Sequence, residues 1–186
     1  GPAHDVWMQS EEKNLRVNDV VARAFRESGP SGVPVFATLG NHDVFPVDQD
    51  VGDASYYARW FAPWAKSMSP NARRTATYGG FYRQRLFPGL SVVIMNTNHY
   101  ASNNLYQTIG YKSDFRRQLT WLSRTLSSAR RARERVLLFR HHPTVADAYQ
   151  RKIDAVLASY ADTVGVVVSG HTHDNAFAVR AGLPHL

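Results

Sequence analysis

The sequence predicts an α/β fold with a largely parallel β-sheet, and three observations support this prediction. Short apolar runs typical of buried strands alternate along the chain with segments of helical periodicity. The length of 186 residues suits one domain, and a 44% share of hydrophobic residues supplies a core and argues against disorder. No apolar run reaches the roughly 20 residues that cross a bilayer as a helix.

Four segments have the spacing of apolar residues that predicts a helix. They cover residues 7–28, 55–68, 113–134 and 148–160. Gly29 and Pro30 are expected to end the first helix. Pro63 bends or breaks the second, because proline lacks the amide hydrogen that the helix needs. Ser113 or Asp114 caps the third.

The predicted strands are short and mostly apolar. They cover residues 33–39, 78–86, 90–98, 135–139, 164–169 and 176–180. Phe87, Pro88 and Gly89 form the turn between the second and third of these strands. Alternation with the predicted helices favours parallel pairing in the centre of the sheet.

Histidine-bearing segments follow three of the predicted strands. These segments are Gly40-Asn41-His42-Asp43, Arg140-His141-His142-Pro143 and Gly170-His171-Thr172-His173. The carboxyl ends of parallel strands share one edge of a sheet, so we expect these side chains to meet there. In an extended segment, residues two apart point to the same side, so His171 and His173 would face one cavity.

Imidazole nitrogens and an amide oxygen suit a zinc-like or manganese-like dication. Taken together, Asn41, His42, His141, His171 and His173 therefore predict a metal site. His142 either orients that site or has no functional role. His99 and His185 are expected to be ordinary surface or loop residues. The chain contains no cysteine, which excludes a thiolate site and a disulfide framework.

The formal charge of +7 is carried largely by arginine, with a cluster in residues 130–136. A solvated helix end is the favoured interpretation, because cations stabilise a helix C-terminus. Binding of nucleic acid through this cluster is the weaker alternative, and it would be strongly salt-dependent.

Four motifs occur in order along nearly the whole chain. They are PAHDVW at residues 2–7, GNHD followed by FPVDQD, YGGFYRQRLFPGLSVVIMNTNHY, and GHTH. With them the chain resembles the calcineurin-like metallophosphoesterases, and within that superfamily the acid sphingomyelinase-like phosphodiesterases. The resemblance implies a calcineurin-like fold in which two mixed β-sheets form a sandwich flanked by helices. It also implies two divalent metal ions at one edge, zinc in the first instance, with manganese or iron as alternatives.

The resemblance implies a role for individual residues. Asn41, His141 and His171 would bind the second metal, and His173 the first. His42 would protonate the leaving oxygen or stabilise its charge. His4 matches a histidine placed near the scissile phosphate. A metal-activated water would then attack phosphorus without a phosphorylated residue.

The chain departs from the family pattern at its start and at Arg140. The resemblance implies two earlier motifs that supply further metal ligands, Asp-x-His and a Gly-Asp ahead of PAHDVW. The sequence has no Asp-x-His, and no Gly-Asp precedes its GNHD motif. Residues 1–186 are therefore interpreted as the C-terminal portion of a single catalytic domain, in an incomplete fold that alone would bind metal weakly and turn over poorly. A non-catalytic remnant that binds a ligand or partner is the alternative. Arg140 replaces a glycine of the family, which leaves open whether His141 or His142 is the ligand.

The resemblance leaves the substrate open between sphingomyelin and a nucleotide-type phosphodiester. A lipid substrate would bring the protein into contact with a membrane surface, and no obligate protein partner is inferred. The resemblance also implies a secreted or lysosomal-type compartment. An aromatic group in the second predicted helix could contact substrate, but core packing is the favoured interpretation. The group comprises Tyr56, Tyr57, Trp60, Phe61 and Trp64.

Overall fold

A mixed β-sheet with helices on both faces organises the chain. The computed structural model describes residues 9–30, 32–109 and 114–186. Its α-helices are α1 (Glu11–Ser28), α2 (Ala54–Phe61), α3 (Pro70–Gly79), α4 (Leu105–Ile109), α5 (Gln118–Arg131) and α6 (Asp147–Ser159). Its strands are β1 (Tyr82–Phe87), β2 (Leu90–Ile94), β3 (Arg135–Phe139), β4 (Val164–Val168), β5 (Ala178–Arg180) and β6 (Leu183–His185).

The strands form one sheet in the order β1-β2-β3-β4-β6-β5. Pairing is parallel from β2 through β3 and β4 to β6, while β1 and β5 add antiparallel edges. The predicted α/β class and parallel centre are therefore confirmed. Within the described ranges the strands build only this sheet, so the second sheet of the implied sandwich has no strands there.

Two hydrophobic clusters cover the two faces of the sheet. On one face, α5 and α6 pack on β3 and β4 through residues such as Leu122, Ile153 and Val167. On the other face, α2 and α3 contribute Trp60 and Ala76 to a cluster with residues of β2. None of the helices in the described part of the chain is long and apolar enough to span a membrane.

Helix boundaries follow the expected capping chemistry. The hydroxyl of Ser10 accepts a hydrogen bond from the backbone of Lys13 at the start of α1, which ends before Gly29 as predicted. Helix α2 ends at Phe61 and continues as a 3-10 turn over Ala62–Ser67, which contains Pro63.

The predicted helix over residues 113–134 begins later than expected. Arg116 and Arg117 have positive φ angles of 51° and 54°, so the α-helix starts only at Gln118. Asp114 still acts as a cap, since its carboxylate accepts hydrogen bonds from the backbone of Leu119 and Thr120 at 2.7 and 2.8 Å. Ser113 lies outside the described residues.

The prediction of a strand at residues 33–39 is wrong. The segment enters no ladder, because no strand in the described part of the chain lies alongside it. Its side chains still pack against the sheet, and the carbonyl of Ala37 accepts a hydrogen bond from the hydroxyl of Tyr82 at 2.7 Å. Helices α3 and α4 and strand β6 were not predicted. In β6, Pro184 obscures the strand pattern.

Candidate metal centre

An asparagine and two histidines from three separate loops meet at the carboxyl edge of the sheet. The amide oxygen of Asn41 lies 2.7 Å from Nε2 of His141, and Nδ1 of His171 lies 3.2 Å from the same nitrogen. Asn41 opens a 3-10 turn, while His141 and His171 follow β3 and β4. The predicted convergence of the three segments is therefore present in the fold, although residues 33–39, which precede Asn41, form no strand.

His142 lies beside this group. Its ring centroid is 4.4 Å from that of His171 and 4.9 Å from that of His141. His141, His142 and His171 each offer a nitrogen within 4.8 Å of the other two, an arrangement that can hold a metal ion. The Thr97 hydroxyl oxygen accepts the backbone N–H of His142 at 2.9 Å and lies 3.3 Å from its Nδ1, while Nε2 is buried without a partner.

The three imidazoles are held in their neutral form. Burial, followed by the charges of neighbouring histidines, lowers the pKa of His141 to about 3. Burial and the charge of His171 lower the pKa of His142 to about 4, and burial also lowers that of His171. Near neutral pH each ring therefore has an unprotonated nitrogen that can bind a cation.

The donor set fits a small divalent cation. The 3.2 Å separation of His141 Nε2 and His171 Nδ1 is close to the roughly 3.3 Å between two ligands of a tetrahedral zinc ion. The 2.7 Å between Asn41 Oδ1 and His141 Nε2 is a hydrogen-bond distance, so the amide oxygen is within easy reach of the same cation. Nε2 of His141 faces both an amide oxygen and a second imidazole nitrogen, and it can donate at most one hydrogen. The unpartnered Nε2 of His142 is a further available donor atom. A cation would satisfy these lone pairs together.

Hydrogen bonds outside the cluster hold its loops in place. Asp48 accepts a hydrogen bond from the amide nitrogen of Asn41 at 2.8 Å, which turns the amide oxygen toward His141. Asn98 donates to the carbonyl of Gly40 at 3.1 Å. Asn14 of α1 donates to the carbonyls of His42 and Val44 at 3.2 and 3.1 Å.

The other predicted site residues in the described part of the chain, His42 and His173, are not members of this histidine cluster. His42 is half-buried, and its charge contributes to the lowered pKa of His141. His173 is exposed and is not one of the three clustered histidines. His171 and His173 have positive φ angles of 76° and 58°, so the expectation that they share one side of an extended segment is wrong. His4 lies outside the described residues.

His99 and His185 are buried, so their prediction as surface or loop residues is wrong. Nε2 of His99 lies 2.7 Å from the Tyr57 hydroxyl and 3.4 Å from a carboxylate oxygen of Asp50. Both rings are surrounded by groups from distant parts of the chain, which sequence spacing does not reveal. Thr97, which contacts His142, was also missed, although its place after β2 was an available signal.

The aromatic residues of the second predicted helix are core residues. All five are buried and belong to the cluster on the α2 face of the sheet, which confirms the favoured interpretation. The arginine cluster at the end of α5 has local contacts. Arg130 pairs with exposed Asp162, and Arg131 donates to the Ser127 hydroxyl at 2.7 Å.

The chain is similar in sequence to a known protein family and to several curated proteins, and similar in fold to a solved structure. A model of the calcineurin-like phosphoesterase family matches residues 8–175. The sphingomyelin phosphodiesterase of Homo sapiens is 31% identical over 189 residues, covering 96% of this chain and 30% of that protein. Sphingomyelin phosphodiesterase A of Dictyostelium discoideum is 29% identical, covering 96% of this chain and 32% of that protein.

A cyclic GMP-AMP phosphodiesterase of Rattus norvegicus is 30% identical over 159 residues, covering 78% of this chain and 35% of that protein. The chain thus spans about a third of the length of these curated relatives. A dimetal phosphatase of Danio rerio, known from a crystal structure, matches with a TM-score of 0.57 at 19% identity. The match covers 94% of this chain and 65% of that one, and it shows similarity of fold.

Proposed function

Because the chain belongs to the calcineurin-like phosphoesterase family, we propose that it contributes the metal-binding edge of an enzyme that hydrolyses phosphodiesters. The observation that carries the proposal is that Asn41 Oδ1 and His171 Nδ1 both lie within 3.2 Å of His141 Nε2. Residues 1–186 would be the C-terminal portion of the catalytic domain. The substrate would be sphingomyelin or a nucleotide-type phosphodiester, in a secreted or lysosomal-type compartment.

The proposed ligands for a divalent cation, with zinc preferred, are Asn41, His141 and His171. A cation bound there supplies positive charge to phosphate oxygens and lowers the pKa of a coordinated water. His173 is proposed as a ligand of a second cation. His142 is either an additional ligand or the alternative to His141, because its buried Nε2 has no partner.

The chain's own residues orient this centre. Asp48 holds the Asn41 amide, so that its oxygen faces the histidines. Thr97 can accept the Nδ1 hydrogen of His142, which would leave Nε2 unprotonated. His42 follows Asn41 in the same turn, and we assign it the protonation of the leaving oxygen. His4 is proposed to lie near the scissile phosphate.

A non-catalytic binding protein is the second candidate. The observation in its favour is that the clustered donors in the described residues are imidazoles and the amide oxygen of Asn41, without a carboxylate among them. Carboxylate ligands compensate the charge of a cation pair more effectively than neutral imidazoles do. In that case the histidine centre would bind a cation without hydrolysing a phosphodiester.

Hydrolysis of bis-(p-nitrophenyl) phosphate by the zinc- or manganese-loaded chain tests the proposal. We expect slow, metal-dependent turnover that His171→Ala abolishes. Thr172→Ala is the matched control, because it alters the exposed residue between the two histidines of the same loop. Metal binding with turnover no greater than that of His171→Ala would favour the binding protein. A panel of sphingomyelin and cyclic dinucleotides would then identify the substrate class.

A further inference from the structure

Three nitrogen-bearing side chains, from β5, from β6 and from the residue after β3, each have a buried polar atom without a hydrogen-bond partner. The atoms are Nη1 of Arg140, Nη1 of Arg180 and Nε2 of His185. Arg140 is 2% exposed and His185 is 8% exposed. A buried polar atom without a partner is costly, and a buried guanidinium especially so, which suggests that this group is completed by a ligand.

Strand geometry places Arg140, Ser169 and His185 on the α5–α6 face of the sheet. Leu138, Val167 and Leu183 all belong to the cluster on that face. Side chains two residues apart in a strand point to the same side. Arg140, Ser169 and His185 each lie two residues after one of these apolar residues, so their side chains are on the same face. Nε of Arg140 contacts the Ser169 hydroxyl at 3.3 Å, and His185 pairs with Val167 across β4 and β6.

The other donors of Arg140 are already fixed. Arg140 donates through Nη2 to the carbonyl of Pro143 and through Nε to Ser169, so only Nη1 is available. Nη1 of Arg180 and Nε2 of His185 add two further buried nitrogens without a partner. Two of these three nitrogens belong to cationic groups.

The positive charge in this group is incompletely balanced. Arg180 pairs with Leu183 across β5 and β6, two residues before His185, and its charge acts on both Arg140 and His185. No carboxylate of the described residues forms an ion pair with either arginine. Asp154 of α6 is the acidic group that acts on Arg140 and His185, and its Oδ1 accepts a hydrogen bond from Gln150 at 2.7 Å.

We propose that Arg140, Arg180 and His185 form a binding site for a tetrahedral oxyanion such as phosphate, between the sheet edge and α6. Three separate donors suit a tetrahedral anion better than a planar carboxylate, which pairs best with the two-pronged face of one guanidinium. The group lies on the α6 face of the sheet, and Arg140 directly precedes His141 of the histidine centre. The proposal does not depend on the hydrolytic function proposed above. Arg140, which replaces a glycine of the family, thereby gains a specific role.

Phosphate binding to the metal-free 186-residue chain tests the proposal. Titration calorimetry with inorganic phosphate in the presence of EDTA removes binding through metal at the histidine centre. We expect saturable binding of one phosphate, and Arg180→Gln should weaken it by about tenfold or more through loss of a charge-assisted hydrogen bond. Arg131→Gln is the matched control, because it removes the same charge from an exposed site on α5 and should leave the affinity within about twofold.

Two further measurements distinguish loss of this site from misfolding of a variant and from phosphate binding at another site. Phosphate should shift the ring resonances of His185 in the unaltered chain, identified by their loss in His185→Gln, and this needs no destabilised variant. Sulfate should compete with phosphate, while acetate should not. Equal affinity in Arg180→Gln and Arg131→Gln would overturn the site. Loss of binding in His141→Ala but not in Arg180→Gln would move the anion to the histidine centre and also overturn it.

Discussion

The side-chain oxygen of Asn41 lies 2.7 Å from Nε2 of His141, although the two residues are 100 positions apart in the chain. The contact joins the 3-10 turn of Asn41 to the loop after β3, so the fold brings two chemically complementary groups together over a long separation. His171 adds a third donor from the loop after β4.

Metal content should distinguish His141 from His142. We expect His141→Ala to reduce bound zinc to background, because Nε2 of His141 is the atom that contacts both Asn41 and His171. His142→Ala should retain part of the metal. Elemental analysis after dialysis measures both, with Thr172→Ala as control. Background zinc in His142→Ala alone would assign the ligand role to His142 instead.

Asp48 should act on metal affinity through Asn41. Asp48→Gly removes the acceptor that orients the Asn41 amide, and glycine tolerates the positive φ of 66° at this position. We expect about a 10–100-fold loss of zinc affinity, typical of groups that orient metal ligands. Asp48→Asn keeps a side-chain oxygen and should retain most of the affinity in a competition titration with a chromogenic chelator. Equal losses in the two variants would contradict this orienting role.

Stability should fall in mild acid partly because of His99. Burial lowers the pKa of this fully buried imidazole below the ordinary value of 6.5. As the pH falls below 6.5, the unfolded chain takes up a proton that the folded state resists, so the free energy of unfolding decreases. Urea unfolding between pH 7.5 and 5 should show a smaller decrease in His99→Gln. A decrease as large as that of the unaltered protein would remove His99 as a contributor.

Loss of the His99 ring should also lower stability at neutral pH. The Tyr57 hydroxyl would lose its contact with Nε2, while Asp50 would keep its hydrogen bonds from Asn96 and Gly52. We expect a loss of about 1–3 kcal/mol in the free energy of unfolding of His99→Gln at pH 7.5. An unchanged urea midpoint would show that the ring is replaceable.

Glu134 should stabilise the edge formed by β1 and β2. Its side chain is 4% exposed and pairs with Arg83 and Arg85, and it accepts a hydrogen bond from the Ser91 hydroxyl at 2.6 Å. Burial raises its pKa, but the Ser91 and Arg83 hydrogen bonds outweigh burial, and the pKa lies below the ordinary 4.5. The stabilisation is therefore present above pH 4.5 and is lost as the pH falls through the lowered pKa.

Glu134→Gln should accordingly lower the free energy of unfolding by about 1–3 kcal/mol at pH 7, with the difference shrinking in acid. Chemical unfolding at pH 7 and at pH 3 measures both values. Glu12→Gln is a matched control, because Glu12 pairs with Arg59 at an exposed site and should have little effect. A difference that grows in acid would contradict the assigned pKa direction.

The sequence by itself determined the α/β class, the helices α1, α2, α5 and α6, the strands β1 to β5, and the three histidine-bearing segments. These follow from local properties, namely apolar periodicity, capping residues and the residues that end a strand. The proximity of His141 and His171 follows from the rule that parallel strand ends share an edge. The position of Asn41 beside them does not, because the segment before Asn41 forms no strand. Their role as metal ligands stays a prediction.

Only the tertiary structure decided the features that depend on what surrounds a residue. Residues 33–39 have a strand-like composition, yet a strand also needs a paired neighbour, which spacing does not show. His99 and His185 are buried because groups from distant elements close around them. His142, Arg140 and Arg180 became notable because each retains a buried nitrogen without a partner. Whether a buried nitrogen has a hydrogen-bond partner depends on the folded structure, because the partner usually lies far away in the sequence.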